Sequence, residues 1–340
     1  MMAPARRLTA NLLLLVGSSV LSMLVMEGLV RVTSPSDRLE FLTDDELLWA
    51  LEPDQVGTVA VGARGTSLPL ATIDRRGFRA SSSSPPTASL PRVLTLGDSF
   101  AFGHGVADHE TFSALVQERS RGRLAVVNAA VPGYGVFQEL SLLKRIVDDV
   151  VPRFVVVTVV EGDILRQPFA TATQKVSFLR QSRWRQRLRR TSRLATVVAR
   201  SLQRVSLAST GRAVVNARVS PGSDAAPDST VFQACWRDDR SRLVMMRDLA
   251  ASKGAALILV AWPQRTNDTA FFLTEMRRLA ADARIPLVDL SEPLSRHSDD
   301  ALRIAGDGHP TALAHAVVAE EVLRALTDLG AGAVGGSAVP

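Results

Sequence analysis

The stretch Val93-Leu94-Thr95-Leu96-Gly97-Asp98-Ser99 constrains this chain more than any other. A brief apolar run halted by glycine fits a strand buried on both faces, as strands of a parallel sheet are. It predicts a strand over 92–96 with chemistry in the turn beyond it, because open α/β sheets react at the carboxyl ends of their strands. A serine in such a turn is otherwise an ordinary turn or cap residue. What gives it weight is a distant partner, Asp307-Gly308-His309-Pro310, near the far end of the 340 residues.

After Pro91 the pattern alternates. Short apolar runs at 92–96, 124–128, 154–160, 255–261 and 286–289 predict strands. Between them, apolar residues at three- and four-residue spacing predict helices at 111–120, 137–147, 240–253 and 269–283, with a last one over 311–329. Strand–helix repetition of this kind gives an α/β fold: three layers, α/β/α, around a flavodoxin-like five-stranded parallel sheet. An apolar content of 46% against 22% charged residues supplies the core that such a sheet needs.

The rest of the chain is organised around that domain at 91–330. Nineteen residues from Leu8 to Met26 carry no charge, and as a helix they span about 28 Å, close to the thickness of a bilayer core. Arg6 and Arg7 precede them, so the positive-inside rule predicts a single-pass anchor over 1–32, with a cytoplasmic N-terminus and the main domain extracytoplasmic. The rival reading is a cleaved signal peptide, but no Ala-x-Ala pattern follows Met26. Residues 33–90 read as a linker and accessory region, with a Ser/Pro loop at 81–86, and the Gly-rich 331–340 as a disordered tail.

The net charge of +6 is a local matter. From Ile164 to Ser223 there is no acidic residue and there are thirteen basic ones, so the remainder is net acidic, which argues against a nucleic-acid binder. This defines a basic helical insertion at 164–230. Within it Trp184, Leu188, Thr191, Ala195, Val198, Leu202 and Val205 fall on one face of a single long helix. Three readings of the helix over 180–205 stand: a solvated arginine surface, a lid or interfacial helix leaning on anionic lipid, or a surface that binds an anionic polysaccharide. The single cysteine, Cys235, forms no internal disulfide and reads as a small packed side chain.

Three loops that follow the first three strands converge on one sheet edge: Gly97-Asp98-Ser99, Asn128 to Gly135, and Glu161-Gly162-Asp163. A serine hydroxyl needs a neighbouring base, usually a histidine oriented by a carboxylate. His309 and Asp307 fit those roles, and the N–H groups of Ser99 and Gly133 suit an oxyanion formed on attack. His104 and His109 read as loop residues. No cluster has metal-ligand spacing, so neither a metal nor another cofactor is expected.

The Gly97-Asp98-Ser99 block, the Asn128 to Gly135 block and the Asp307-Gly308-His309-Pro310 block resemble those of the SGNH (GDSL-type) hydrolases, and specifically the bacterial membrane-anchored members, which also carry a Gly-Phe-Arg element, here Gly77-Phe78-Arg79. The resemblance covers about 70–165 and 255–328 and implies that Ser99 is the nucleophile, Ser99 and Gly133 oxyanion donors, His309 the base and Asp307 its orienter. It implies a serine esterase acting on O-acyl esters of cell-envelope carbohydrate or lipid. One departure is clear: where the family has an Asn as third oxyanion donor, this chain has Gly162. Two backbone donors, or a side chain such as Gln138, would then have to serve. The short Asp307-x-His309 spacing resembles polysaccharide O-acyltransferases of the same type, which keeps transfer open beside hydrolysis. The missing Asn keeps open a non-catalytic carbohydrate-binding or scaffold protein.

Overall fold

Five apolar runs become one parallel sheet, with their carboxyl ends along a common edge. The computed structural model describes residues 3–33, 38–58, 69–81, 90–169, 171–195, 197–198, 229–264 and 269–331. Compactness divides the chain into Met1–Ser36 with Thr171–Asn216, and Asp37–Ala170 with Ala217–Pro340.

The second unit holds the sheet. Two antiparallel hairpins come first, β1 (Phe41–Asp44) with β2 (Leu48–Leu51) and β3 (Gln55–Gly57) with β4 (Ala71–Ile73). The parallel strands follow: β5 (Arg92–Leu96), β6 (Ala125–Asn128), β7 (Phe154–Val160), β8 (Ala256–Trp262) and β9 (Leu287–Asp289). Their spatial order is β6-β5-β7-β8-β9, so the direction of travel reverses beside β5, and β5 and β7 flank the switch point where such sheets place ligands. All seven residues of β7 are buried, which is why its sequence is a continuous apolar run rather than an alternating one. Helices cover both faces. Phe112–Arg119 packs with Ala312–Leu326, and Val136–Val150 packs with Ser229–Ser252.

Several boundaries differ from the sequence-based expectation. Helix Ser229–Ser252 starts eleven residues before 240, because Phe232 and Trp236 are also buried in the core. The expected accessory region is not separate. From residue 38 on, its described residues belong to the sheet unit, where Arg79 N–H donates to Asn128 O at 3.0 Å and ties the segment to β6. The loop at 82–86 and the tail at 332–340 lie outside the described residues.

In the first unit, helix Ala3–Thr33 contains the segment Asn11–Thr33, with a mean hydropathy of 2.0, long and apolar enough by length and composition to cross a membrane. Leu12 to Leu15, Leu21, Leu24 and Leu29 are exposed, Leu14 at 71%. The basic segment is a helix over Ala172–Thr191 that breaks at Ser192, with helical residues again at 193–195 and 197–198. The cause is local: Ser192 leaves helical geometry, and Glu27 accepts the Ser192 hydroxyl and the Arg193 and Leu194 N–H groups at 2.8–2.9 Å. Trp184, expected on the packed face, is 62% exposed, and Leu202 and Val205 lie outside the described residues. The insertion also begins later than 164, since Ile164 and Arg166 belong to the sheet unit.

Candidate active site

The turn after β5 sets Ser99 at the start of a one-turn helix, Ser99–Phe102, which Asp98 caps by accepting the Phe100 N–H at 2.8 Å. Only glycine fits at 97: a Cβ there would come within 2.6 Å of Ala101 Cβ and 3.1 Å of Thr158 O, at a φ of +149°. That close approach lets the turn fold over β7.

From the other end of the chain, the loop before Ala312–Leu326 brings His309 Nε2 to 2.9 Å from Ser99 Oγ. His309 Nδ1 meets Asp307 Oδ1, which also accepts the His309 backbone N–H at 3.3 Å. The two-residue spacing closes because Gly308 takes a φ of +83° and folds the chain back on itself. The hydrogen bond from His309 holds the Asp307 carboxyl well below the usual carboxylate range, so it stays ionised beside the imidazole.

His104, read from sequence as a loop residue, is buried against this pair. Its ring centroid is 4.2 Å from that of His309 and its Nε2 is 3.5 Å from Asp307 Oδ2. Burial first, then repulsion by His309, lowers His104 to about 4, so it is neutral at pH 7. Its loop is held by Arg79, itself buried, whose guanidinium donates to the carbonyls of Phe102, Gly103 and Val106 and to Asp108 Oδ1 at 3.0 Å. His109 is exposed. His104, Asp307 and His309 offer ligand atoms within 4.8 Å of one another, a set that could hold a metal ion. In this geometry Asp307 and His309 instead engage each other and Ser99.

The loop after β6 runs alongside. Val131 N–H donates to Gly97 O at 3.0 Å, and Trp49 of β2 shapes the next turn, its Nε1 donating to Pro132 O at 3.1 Å and its carbonyl accepting the Tyr134 hydroxyl at 2.6 Å. The N–H groups of Ser99 and Gly133 donate to no described residue. Asn128 spends its carboxamide on Ala101 O and Ala130 N–H. Gln138, a candidate substitute for the missing amide, is spent as well: it donates to Leu47 O at 2.8 Å and accepts from Gly135 N–H at 3.1 Å.

Behind the serine lies an ionic cluster of buried carboxyls around the half-buried Arg166. One Arg166 nitrogen, Nη1, donates to Asp98 Oδ2 at 2.8 Å, to Tyr134 O at 2.9 Å and to Asp163 Oδ1, joining all three loops. Asp98 Oδ2 in turn accepts the Ser99 hydroxyl at 3.3 Å in its alternative hydrogen-bonded orientation. Burial pushes the carboxyls of Asp163 and Glu139 well up, and neither Glu139 oxygen has a partner among the described residues. Arg166 supplies the cation that makes a carboxylate tolerable there.

Ser99, His309 and Asp307 are therefore brought together, while Gly133 lies against Trp49 and Gly162 against Gln264 and Arg166. His104, Arg79 and Arg166 were missed as site residues. Arg166 had been counted with the basic insertion, and its position three residues after Asp163 was the one available signal. No family model and no curated protein matches this chain. Solved structures do align with it. TesA is 19% identical over 70% of this chain and 99% of its own, with a TM-score of 0.45. The psychrotrophic esterase EstA from Pseudoalteromonas sp. is 12% identical over 70% and 97%, with a TM-score of 0.41. A lipase/acylhydrolase from Enterococcus faecalis is 14% identical over 71% and 97%, with a TM-score of 0.43. Likeness at these values carries no chemistry across, so the reaction has to be read from the contacts around Ser99.

Proposed function

We propose that this chain is a serine esterase of SGNH type, working through an acyl-Ser99 intermediate. The single observation that carries this reading is the relay Ser99 Oγ, His309 Nε2, His309 Nδ1, Asp307 Oδ1, assembled from residues 210 positions apart. Neutral His309 takes the Ser99 proton as Oγ bonds to the ester carbonyl carbon. Charge moves onto the carbonyl oxygen, and the unspent N–H groups of Ser99 and Gly133 are suited to receive it. Collapse breaks the ester C–O bond, and the leaving alkoxide takes the proton from His309. Water then repeats the sequence, returning free Ser99 and the carboxylic acid. Asp307 holds the ring in the required tautomer and stabilises its transient charge.

The finer reading is a membrane-anchored, extracytoplasmic enzyme acting on O-acyl esters of cell-envelope carbohydrate or lipid. The apolar helix Asn11–Thr33 supports the anchor, and Arg6 and Arg7 support the orientation. Trp184, exposed among arginines, supports contact of the basic helix with a lipid interface. O-acyl transfer needs only that a sugar hydroxyl replace water at the acyl-enzyme, and the partition of that intermediate between the two separates the readings. The test is hydrolysis of short p-nitrophenyl esters by the full chain in detergent. Wild type turns over and Ser99→Ala falls to background with an unchanged melting temperature. A Ser99→Ala protein with wild-type turnover refutes the mechanism.

A further inference from the structure

Resting on the esterase reading, one question is left by Gly162: the third oxyanion donor is missing, and the side chain first suggested for it, Gln138, is committed elsewhere. A Cβ built on Gly162 would meet two groups. Gln264 Oε1 lies 3.4 Å away and Arg166 Nη2 lies 3.9 Å away. The space an asparagine would occupy is thus already bordered by a carboxamide from the adjacent strand's loop.

Gln264 is two residues beyond Trp262 and Gly162 two beyond Val160, and those strand ends are paired, Val160 with Trp262. Neighbouring parallel strands therefore deliver the two positions to the same level of the site. The Gln264 backbone is fixed on both sides: its N–H donates to Glu161 Oε1 at 2.6 Å and its carbonyl accepts from Arg303 Nη2. Trp262 packs edge-on against Phe100, centroids 5.4 Å apart, one residue past Ser99. The Gln264 carboxamide itself makes no hydrogen bond to a described residue. It is free to turn about its last torsion, which exchanges its oxygen for its NH2 group. Arg166 also faces this space, through Nη2, while its Nη1 is committed to Asp98, Tyr134 and Asp163 and two of those partners offset its charge.

We infer that Gln264 replaces the absent asparagine, its amide NH2 donating to the oxyanion from β8's loop instead of β7's. The site is then complete with three donors. Preset donors act on charge that develops only in the transition state, so their loss lowers kcat more than it raises KM.

The test uses the full-length enzyme and p-nitrophenyl ester hydrolysis. Gln264→Ala and the isosteric Gln264→Glu each lower kcat by about 10²–10³, the usual effect of one lost donor, with KM within about threefold and melting temperatures near wild type. Gly162→Asn alone gives no gain, because the place is filled. Its backbone is unstrained and its Cβ contacts are ordinary. In the Gln264→Ala background the same Gly162→Asn restores kcat to within about tenfold of wild type, as a donor regained should. Overturning results are a Gln264→Ala enzyme that keeps wild-type kcat, or one that the asparagine does not rescue. A wild-type protein without Ser99-dependent turnover removes the esterase reading as well, whereas an active wild type with an indifferent Gln264 removes this inference alone.

Discussion

Replacing Asp307 by Asn keeps the shape of the relay and removes its charge, which isolates what the carboxylate does. In the transition state His309 becomes a cation facing Asp307 Oδ1. Two unit charges about 4 Å apart attract by about 4 kcal/mol at an effective dielectric near 20, which is about 10³ in rate. A second loss follows from geometry. The Asn carboxamide can donate to His309 Nδ1, stabilising the tautomer that carries its proton on Nε2 and cannot accept from Ser99. Together the two effects put the loss in kcat/KM at about 10³–10⁴, measured as ester hydrolysis at pH 7 to 8. Stability reports the same charge independently. A carboxyl held below its ordinary 3.8 contributes stability that is present above that value and lost as pH falls through its folded-state value. Wild type should therefore exceed Asp307→Asn in melting temperature at pH 7, and the gap should close on acidification below about 4. A variant within tenfold of wild-type turnover, or a gap that does not change with pH, refutes the electrostatic role.

Two further outcomes follow. Arg79→Met leaves the carbonyls of Phe102, Gly103 and Val106, and Asp108, without their cation in a buried setting. The cost is about 3–5 kcal/mol by urea denaturation, and activity falls because Arg79 holds Phe102, the end of the one-turn helix that starts at Ser99; a loss below about 1 kcal/mol would contradict it. Burial raises Asp239 to about 7 against the pull of Arg242, which pairs with it at 2.5 Å. A raised carboxyl contributes stability that is full below its ordinary 3.8 and lost as pH rises through about 7. Asp239→Asn should accordingly show a smaller fall in urea midpoint between pH 4 and 7 than wild type, and equal slopes would contradict the assignment.

Much of this molecule was legible in order of sequence locality. The five strands stood out because burial on both faces turns a strand into an unbroken apolar run, seen most plainly in β7. Ser99 and His309 could be paired before any coordinates because parallel strands aim their carboxyl-end loops at one place. What stayed hidden depends on contacts that no local pattern encodes. His104 lies five residues from Ser99, yet only the Arg79 clamp decides that its ring turns inward. Gln264 has no neighbour in sequence that marks it; its meaning comes from Gly162 on the adjacent strand. The basic helix kept its period on paper through Val205, but Glu27, far away in sequence, caps a break at Ser192. Helix 229–252 began beyond the expected start because Phe232 and Trp236 lie outside the window where apolar spacing was counted.

The most direct measurement is mass-spectrometric mapping after treatment of the folded, full-length protein with a fluorophosphonate. Attack by Ser99 Oγ forms an O–P bond, expels fluoride and passes the serine proton to His309. The account predicts a single phosphonyl adduct on the peptide containing Ser99, formed in wild type and lost in His309→Ala. A folded wild-type protein that carries no adduct at Ser99, or labels equally without His309, contradicts it.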